Sequence, residues 1–426
     1  MHVVVLGAGV VGLTTAYFLT RDGHRVTVVD RNDGVALETS FANGAQLSYS
    51  YVAPLAGPGV LPKIPPWLLR RDSPLRFYPA FDPNQWRWLL EFVLACNRTQ
   101  SDLTTRRLLA LSFYSRRLMH AFIASEQIEF GHATNGKLVV FSDGDGFESA
   151  RRLVDYQRSL GCEQDALERD ACIKLEPALD DAGSRLGKRL VGGIHTRSEE
   201  VGDCYRFCVG LEQRLMQLGA TFALGNEVTG LNREAGRITH AITNGGDIAG
   251  DAFVVALGAQ VSAFTHQVGI RVPVYPLKGY SLTLPVTGAA PIASITDFKR
   301  KVVYAPLQGA QGPQLRVAGM ADIAGHSNQA DPVRLAQLVA EVKQSFPRAT
   351  DYARPLSEMQ PWCGLRPATP KGTPVLGASG IPNLYLNCGQ GALGWTLALA
   401  SGKVVADTIA GRRCEIAVDG FSVRGD

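Results

Sequence analysis

Two short apolar segments flank the first helical pattern of the chain. The first covers residues 3–6 and is followed by glycines at positions 7, 9 and 12. A short apolar run bounded by glycine predicts a buried strand and a tight turn, and the stretch from about Val10 to Asp22 predicts a helix. A second apolar segment from Arg25 predicts another strand, and that strand ends in the carboxylate of Asp30.

The rest of the chain predicts a long loop, several helices and two groups of strands. Proline and glycine are frequent as far as Pro83, which predicts irregular structure up to that residue. Helices are expected at about 84–96, 102–125, 145–160, 203–218 and 332–346, and a last one ends near Ala410. Strands are expected at about 136–141, 221–224, 226–232, 237–243, 251–259, 272–284, 302–306, 314–320 and 384–387.

The strand, glycine turn, helix and acidic strand end form a dinucleotide-binding fingerprint in its proper context. Gly7 makes the turn, Gly9 lets a pyrophosphate approach the backbone, and Gly12 brings helix and strand together. Asp30 can accept hydrogen bonds from a ribose. The expected cofactor contacts in this segment are Val3, Val4, Val5, Leu6, Gly7, Ala8, Gly9, Val10, Val11, Gly12, Asp30 and Arg31.

The fingerprint is compatible with NAD or FAD, and two further segments favour FAD. A polar, small-residue segment at 38–45 follows the second strand, where the ribityl chain and pyrophosphate of a flavin would run. A glycine loop at 388–396 leads into the last helix and offers free backbone N–H groups for the pyrimidine edge of a reduced flavin. The expected contacts in these and neighbouring segments are Thr39, Ser40, Ala42, Asn43, Gly44, Val228, Gly258, Gly389, Gly391, Leu393, Gly394 and Thr396.

The order of the elements predicts a discontinuous cofactor domain. The buried strand at 251–259 returns the chain to the nucleotide-binding sheet, and the strand at 384–387 does so again. We therefore expect an α/β fold with a Rossmann-like FAD-binding domain made of residues 1–45, 191–262 and 363–426. Residues 46–190 and 263–362 are expected to form a second, substrate-binding α+β domain built on a mixed β-sheet.

Composition narrows the classes of function. The chain has 426 residues, 46% hydrophobic and 19% charged, which is typical of a globular enzyme with more than one domain. A net charge of +4 is too small to indicate a nucleic-acid partner but allows weak attraction to an anionic membrane surface. Eight cysteines include no CxxC pair, so no metal site is expected. No apolar run reaches the roughly eighteen residues of a membrane span.

Several internal motifs carry a resemblance to a known family. They are Gly7–Gly12, Glu38–Asn43, Pro276–Ser281, Trp362–Pro370 and Gly391–Thr396. Together, and from end to end of the chain, they resemble the small, FAD-containing subunit of bacterial D-amino acid dehydrogenase, within the D-amino acid oxidase and glycine oxidase group. The resemblance implies oxidative deamination of D-amino acids to 2-oxo acids and ammonia. It also implies a quinone or an electron-transfer protein as acceptor, and a location in the cytoplasm or on the cytoplasmic side of the bacterial inner membrane.

The resemblance also indicates residues of the substrate site. Arg366 lies in a Gly-Leu-Arg-Pro-x-Thr-Pro stretch like the one where related oxidases hold the substrate carboxylate, and its planar fork suits that group. The alternative for Arg366 is a surface ion pair. The phenols of Tyr280 and Tyr304 are expected to share the carboxylate or close the pocket, although Tyr304 is equally compatible with a core position. Lys278 is a candidate for a cation near the flavin.

The expected chemistry needs few acid or base side chains. A bound amino acid with a neutral amine can deliver its α-hydrogen as hydride to the flavin, so orientation and charge placement do most of the work. The chain departs from the family pattern at Gln390, where a histidine is expected, and in the strand at 299–304. The flavin potential and the substrate range are therefore open.

Three other readings of the sequence remain open. One is an FAD amine oxidase that uses oxygen on glycine, sarcosine or D-proline-type substrates. Another is a non-catalytic flavin-holding subunit of a larger complex, and a third is a nicotinamide-binding protein. Residues 65–71 and 76–78 combine aromatic residues, leucines and arginines, which is typical of a membrane-surface anchor. The same pattern continues at Trp86, Trp88 and Leu89–Leu90. Packing of these residues on the second domain explains the pattern as well. Assembly into an oligomer is also left open.

Overall fold

The computed structural model of the chain describes residues 1–52, 54–64 and 73–423. Its strands, in chain order, are β1 (His2–Leu6), β2 (Arg25–Val29), β3 (Gln46–Leu47), β4 (Leu75–Phe77), β5 (Lys137–Phe141), β6 (Gln164–Glu168), β7 (Gly192–Thr196), β8 (Glu200–Val201), β9 (Thr221–Ala223), β10 (Val228–Glu234), β11 (Arg237–Thr243), β12 (Ile248–Ala249), β13 (Ala252–Val255), β14 (Tyr275–Pro285), β15 (Ser294–Asp297), β16 (Val302–Gly309), β17 (Gly312–Ile323), β18 (Trp362–Ala368), β19 (Val375–Ala378) and β20 (Leu384–Cys388). Its α-helices are α1 (Val10–Arg21), α2 (Pro83–Ala95), α3 (Arg98–Glu126), α4 (Gly144–Ser159), α5 (Arg169–Leu175), α6 (Arg185–Arg189), α7 (Cys204–Gln217), α8 (Val261–His266), α9 (Pro332–Ser345) and α10 (Gly394–Ile409). Short 3-10 helices lie at Leu61–Lys63, Pro177–Asp180, Gly258–Gln260, Leu356–Met359 and Gly391–Leu393.

The smaller of the two main sheets has six strands in the order β19-β20-β13-β1-β2-β9. All neighbouring strands are parallel except β19 and β20. Val3 and Val5 of β1 pack into the core beneath α1, α7 and α10, and Val4 and Leu6 pack into a second core on the opposite face. Burial on both faces is why the strand reads as an uninterrupted aliphatic run.

The larger sheet has nine strands and is mixed. Its order is β18-β14-β17-β16-β15-β5-β7-β6, with β4 paired to β17. The β5–β15 and β4–β17 pairs are parallel and the others are antiparallel. One face packs on α9, where Leu335, Leu338 and Val342 complete an apolar core. A three-stranded sheet of β10, β11 and β12 and the short β3–β8 pair lie outside these two sheets.

The helices and strands expected from the sequence are confirmed, with ends that shift by a few residues. The cap expected at the start of α7 is present, because the Asp203 carboxylate accepts from the Arg206 N–H. The segment expected to be irregular up to Pro83 contains β4 and a 3-10 turn. A strand as short as β4 depends on pairing with a strand distant in the chain, here β17. The local sequence does not reveal such a pairing.

Three elements lie elsewhere than the expected domain limits suggest. β7 pairs with β5 and β6, and β18 pairs with β14, so both belong to the larger sheet although residues 191–262 and 363–426 are expected in the cofactor domain. Conversely, α3 packs with α10 in the core of the smaller sheet. The pattern of a strand predicts that it is buried, and the sheet it joins is decided by tertiary contacts.

Among the described residues, no helix is long and apolar enough to cross a membrane.

Candidate active site

A cavity of about 730 Å³ lies between the two main sheets. It is lined by the turn after β1, the segment at 38–48, parts of β14 and β18, and the glycine loop before α10. This volume is in the range of small-molecule and cofactor sites. The segments that the sequence singles out for a cofactor are therefore brought together around one space.

The turn after β1 has the backbone geometry that its glycines require. Gly7 has φ +112°, and a Cβ there would lie 2.5 Å from the Ala256 carbonyl oxygen. A Cβ on Gly12 would lie 1.9 Å from the Gly7 carbonyl oxygen, so α1 can start this close to the strand only with glycine at that position. The Asp30 carboxylate lines the cavity and also accepts from the Ala8 N–H at 2.8 Å. Asp30 thus holds the turn in addition to its expected role toward a ribose.

The segment at 38–48, which we call the bridging segment, contacts both sheets. Ser40 Oγ accepts from the Val10 N–H at 3.1 Å at the start of α1, and Thr39 Oγ1 donates to the Leu365 carbonyl of β18 at 2.8 Å. Ser281 Oγ of β14 donates to the Ala42 carbonyl at 2.6 Å. These bonds fix the bridging segment along the cavity.

The glycine loop before α10 forms the wall at the other end of the bridging segment. The first residues of α10 have no side-chain cap, so their N–H groups are available to a ligand. Thr396 Oγ1 accepts from the Ser48 N–H at 3.0 Å. Gln390, which replaces the expected histidine, lines the cavity and donates through Nε2 to Asn387 Oδ1 at 2.7 Å. The amide therefore maintains the loop through a neutral hydrogen bond.

Arg366 of β18 points its guanidinium into the cavity over the backbone of the neighbouring strand. A Cβ on Gly279 would lie 2.3 Å from Arg366 Nη2, so the glycine is what lets the guanidinium lie flat on β14. Arg366 Nη1 donates to the Met320 carbonyl at 2.8 Å. Burial lowers the pKa of Arg366, and the Asp322 carboxylate partly offsets this effect. Within the described residues no carboxylate lies within 4.0 Å of Arg366, so its charge is free to bind an anion.

Met320 adopts a strained backbone conformation beside Arg366. Its φ is +61°, which is uncommon for a residue other than glycine, and it lies where the pairing of β14 and β17 shifts register. Strain of this kind costs about 1–3 kcal/mol and persists where the surrounding structure enforces it. Here it turns the Met320 carbonyl toward the guanidinium of Arg366.

The other predicted substrate residues have different positions. Tyr280 lines the cavity, but its hydroxyl donates to Asp322 Oδ2 at 2.8 Å, and burial together with that carboxylate raises its pKa. Lys278 does not line the cavity, and its Nζ donates to the Gln329 carbonyl at 3.1 Å. Tyr304 is fully buried on the far face of the sheet, where its hydroxyl donates to Ser345 Oγ at 3.0 Å. The expectation that Lys278 places a cation in the site is corrected, because its side chain has another partner outside the cavity. Of the two alternatives for Tyr304, the structure shows the core position and not a place in the pocket.

Most of the predicted cofactor residues line the cavity. These are Gly7, Gly9, Val10, Val11, Asp30, Arg31, Thr39, Ser40, Ala42, Asn43, Gly44, Val228, Gly258, Gly391, Leu393, Gly394 and Thr396. The residues that do not line it are Val3, Val4, Val5, Leu6, Ala8, Gly12 and Gly389. Those of β1 and Ala8 are completely buried in the cores, Gly12 packs on the turn, and Gly389 faces Thr369. Their role is to shape the site rather than to line it.

Sequence reasoning missed several polar residues of the cavity wall. Gln46 and Ser48 lie at the end of the bridging segment, and Lys137, Tyr51 and Trp362 lie on the side of the larger sheet. The one signal in the sequence is Lys137, a charged residue at the start of an otherwise apolar strand. Within the described residues, no group of His, Cys, Asp and Glu side chains is arranged to hold a metal ion.

The arrangement fits FAD. The cavity extends from the Asp30 carboxylate, past the exposed backbone of Gly9, along the bridging segment to the first turn of α10. It thus offers a ribose acceptor, a helix start for the pyrophosphate and a second helix start at the opposite end. The fold and this site define a flavoprotein whose second sheet contributes an arginine, Arg366, to the cavity wall.

Comparisons with known proteins agree with this class. The family model described as DAO, FAD dependent oxidoreductase, matches residues 2–408. "D-amino acid dehydrogenase 2" of Ralstonia nicotianae is 48% identical over 99% of this chain and 100% of its own length. A protein of the same description from Pseudomonas aeruginosa is 44% identical over 100% of this chain and 98% of its own length. The crystal structure of glycine oxidase from Geobacillus kaustophilus has a TM-score of 0.77, with 18% identity and coverage of 99% of this chain and 97% of that one.

The chain therefore belongs to the DAO family of FAD-dependent oxidoreductases. FAD is its cofactor, as the fingerprint and the glycine loop predict. The likeness to glycine oxidase confirms the fold, a Rossmann-like α/β domain beside a mixed sheet.

Proposed function

We propose that this chain is an FAD-dependent dehydrogenase of D-amino acids. One molecule of a D-amino acid and one of water give a 2-oxo acid and ammonia, and two electrons and two protons are released, the electrons passing through FAD to an acceptor. The observation that carries the proposal is the guanidinium of Arg366, which faces the cavity without a carboxylate partner among the described residues. The relatives described as D-amino acid dehydrogenases, at 48% and 44% identity, support the D configuration of the substrate.

Arg366 has the geometry to bind and orient a carboxylate. Its planar fork can form two parallel hydrogen bonds with the two oxygens, which fixes direction as well as charge. The Met320 carbonyl and the flat contact with Gly279 hold the fork before the substrate arrives, so little conformational freedom is lost on binding. The α-carbon of the substrate is then presented to the rest of the cavity in one orientation.

The remaining chemistry places few demands on the side chains. Bound FAD supplies the two-electron acceptor for oxidation of the carbon–nitrogen bond. No histidine lines the cavity in the described part of the chain, which supports a mechanism based on orientation and charge rather than on a general acid. The imine product is hydrolysed by water after release.

The test is anaerobic bleaching of the bound flavin by a panel of D- and L-amino acids. Rapid bleaching by D-alanine or another D-amino acid, with no response to the matching L-isomer, is the expected result. An absence of bleaching by every D-amino acid would instead favour the flavin-holding subunit, and bleaching by glycine or sarcosine alone would favour the amine oxidase. Either of these two results would overturn the proposal.

The electron acceptor is proposed to be a quinone or an electron-transfer protein. The description of the relatives as dehydrogenases supports an acceptor other than oxygen. Stopped-flow reoxidation of the reduced enzyme separates the two cases. We expect a soluble quinone analogue to reoxidise the flavin much faster than air-saturated buffer does, and the opposite order would make the protein an oxidase.

With such an acceptor, the location that we propose for the protein is the cytoplasmic surface of the bacterial inner membrane. The outer face of α2 exposes Trp86, Leu90 and Leu94, and Phe81 just before it is fully exposed. Trp88, which the sequence pattern also allowed at this surface, is instead buried and donates through Nε1 to the Ala368 carbonyl. Residues 65–71 of the predicted anchor lie outside the described residues. Of its second part, residues 76–78, the ring of Phe77 packs against Trp86. An apolar helix face with aromatic residues suits the interface of a bilayer.

Sedimentation with vesicles that contain anionic lipids tests this contact. Leu90→Ser combined with Leu94→Ser is expected to reduce the bound fraction several-fold while the flavin content stays unchanged. Val333→Ser, which changes a similarly exposed apolar residue on α9, is the matched control. Equal sedimentation of all three proteins would rule out α2 as the contact.

A further inference from the structure

The cavity wall carries a lysine that the proposed reaction does not use. Lys137, at the start of β5, lines the cavity and is 2% exposed. Its Nζ donates to Ser48 Oγ at 2.8 Å and to Gln46 Oε1 at 3.0 Å, and it lies 4.3 Å from the centroid of the Tyr51 ring. All three partners are uncharged, so the charge of the ammonium group is not cancelled by a group in direct contact.

A buried glutamate lies near this lysine without pairing to it. Glu199 is 1% exposed, and its Oε1 accepts from the Ser50 N–H at 2.6 Å. Its Oε2 is buried and has no hydrogen-bond partner among the described residues. Burial raises the pKa of Glu199 and lowers the pKa of Lys137, and each charge opposes the shift of the other. The two groups therefore act on each other through space, although they are not joined by an ion pair within 4.0 Å.

Lys137 lies at the end of the cavity away from the ribose acceptor. Ser48, which accepts from Lys137, donates its backbone N–H to Thr396 Oγ1 in the first turn of α10. Asp30 marks the opposite end, beside the turn after β1. A dinucleotide bound with its ribose at Asp30 extends along the bridging segment toward α10. Lys137 is thus two hydrogen bonds from the helix start where the ring end of FAD is expected.

We propose that Lys137 supplies a positive charge beside the ring end of FAD that favours reduction of the flavin, and that Glu199 moderates this effect. The half-reaction adds two electrons and one proton to FAD, so the product carries one negative charge more than the oxidised form. An ammonium group nearby stabilises the product more than the oxidised form, and it does so strongly because the site is buried. The inference depends on the family assignment of FAD and does not depend on which amino acid is the substrate.

The Lys137→Met variant tests the sign and the size of this effect. Methionine fills a similar volume without the charge. We expect the equilibrium constant for flavin reduction to fall at least tenfold, which is about 30 mV in midpoint potential for a two-electron couple. The potential is measured on the holoenzyme by anaerobic equilibration with reference dyes, without any amino acid present.

Two further variants separate this effect from a general disturbance of the fold. Glu199→Gln keeps the acceptor for the Ser50 N–H and removes the negative charge, so the midpoint potential should rise, opposite to Lys137→Met. Lys403→Met removes a lysine that pairs with Asp407 on α10 outside the cavity, and it should leave the potential unchanged. A purely structural role for Lys137 would not give opposite shifts for the two buried residues.

The outcomes are decisive in either direction. A Lys137→Met protein that retains its FAD and has the potential of the wild type overturns the proposal. If that variant loses FAD, the Glu199→Gln protein decides, and an unchanged or lowered potential there overturns the proposal as well. Because the titration uses no substrate, its failure leaves the proposed D-amino acid oxidation standing, and failure of the substrate panel leaves this inference standing.

Discussion

The two ends of the cavity are built in different ways. At the nucleotide end, Gly7, Gly12 and Asp30 come from one continuous stretch of thirty residues and act mainly through backbone geometry. At the end where we propose that the substrate binds, Arg366 depends on Gly279 and Met320, which lie on other strands far away in the chain. The first end tolerates little change in backbone shape, whereas the second depends on where a single charged side chain is held.

The largest expected effect is at the nucleotide end. Gly12→Val places side-chain atoms where a Cβ alone would already lie 1.9 Å from the Gly7 carbonyl oxygen. We expect the purified protein to lack FAD and to unfold at a clearly lower temperature, measured by flavin absorbance and thermal denaturation. Gly144→Ala at the start of α4, where a Cβ meets no atom within 4 Å, should retain both properties. Full flavin occupancy in Gly12→Val would show that the turn is less constrained than the structure indicates.

Replacement of Arg366 is expected to leave the nucleotide end intact. In Arg366→Leu the substrate carboxylate loses its charged partner. Because a buried charge-assisted pair is worth about 2–5 kcal/mol, kcat/KM for a D-amino acid should fall roughly 30- to 5,000-fold. FAD content should match that of the wild type. Arg366→Lys keeps the positive charge but not the planar fork, so its kcat/KM should lie between those of the wild type and Arg366→Leu. Unchanged steady-state kinetics in Arg366→Leu would remove this residue from the site.

Gly279→Ala tests whether the support of Arg366 matters as well as its charge. The added methyl would lie 2.3 Å from Nη2, so the guanidinium has to move away from β14. We expect KM to rise roughly tenfold, because a misplaced fork loses about one hydrogen bond to a charged group. The flavin absorbance spectrum serves as the control for the nucleotide end. A KM equal to that of the wild type would mean that the guanidinium position is not set by β14.

The smallest effect is expected from Tyr304→Phe, which lies outside the cavity. The change removes the hydrogen bond to Ser345 Oγ in the core against α9, and the free energy of unfolding should fall by about 1 kcal/mol. Denaturant titration measures this loss. Both kcat and KM should remain those of the wild type, and a change in either would return Tyr304 to the list of substrate residues.

The sequence predicted the nucleotide end well because its signal is local. Glycine spacing, an aliphatic strand and an acidic strand end occur within thirty residues, and each has a direct backbone cause. Arg366 was found through a motif resemblance, but the roles of Gly279 and Met320 in holding it were not, because they depend on the pairing of β14 with β17 and β18.

Tyr304 and Lys137 show why the wall of the second sheet was harder to predict. In β16, Val303 lines the cavity and Tyr304 points to the opposite face, and an apolar strand buried on both sides gives no sign of which face is which. Lys137 begins a strand, where a lysine normally reaches solvent. Only the packing of the bridging segment against β5 encloses it.

The bridging segment has a thermodynamic consequence. It contributes Ser40 to the start of α1 and Thr39 to the strand that carries Arg366, so the two ends of the cavity share one piece of chain. Any ordering of that segment by one ligand reduces the cost of binding the other, and linkage requires the two affinities to change by the same factor. A substrate analogue should therefore strengthen the binding of FAD, and the apoprotein should bind that analogue more weakly by the same factor.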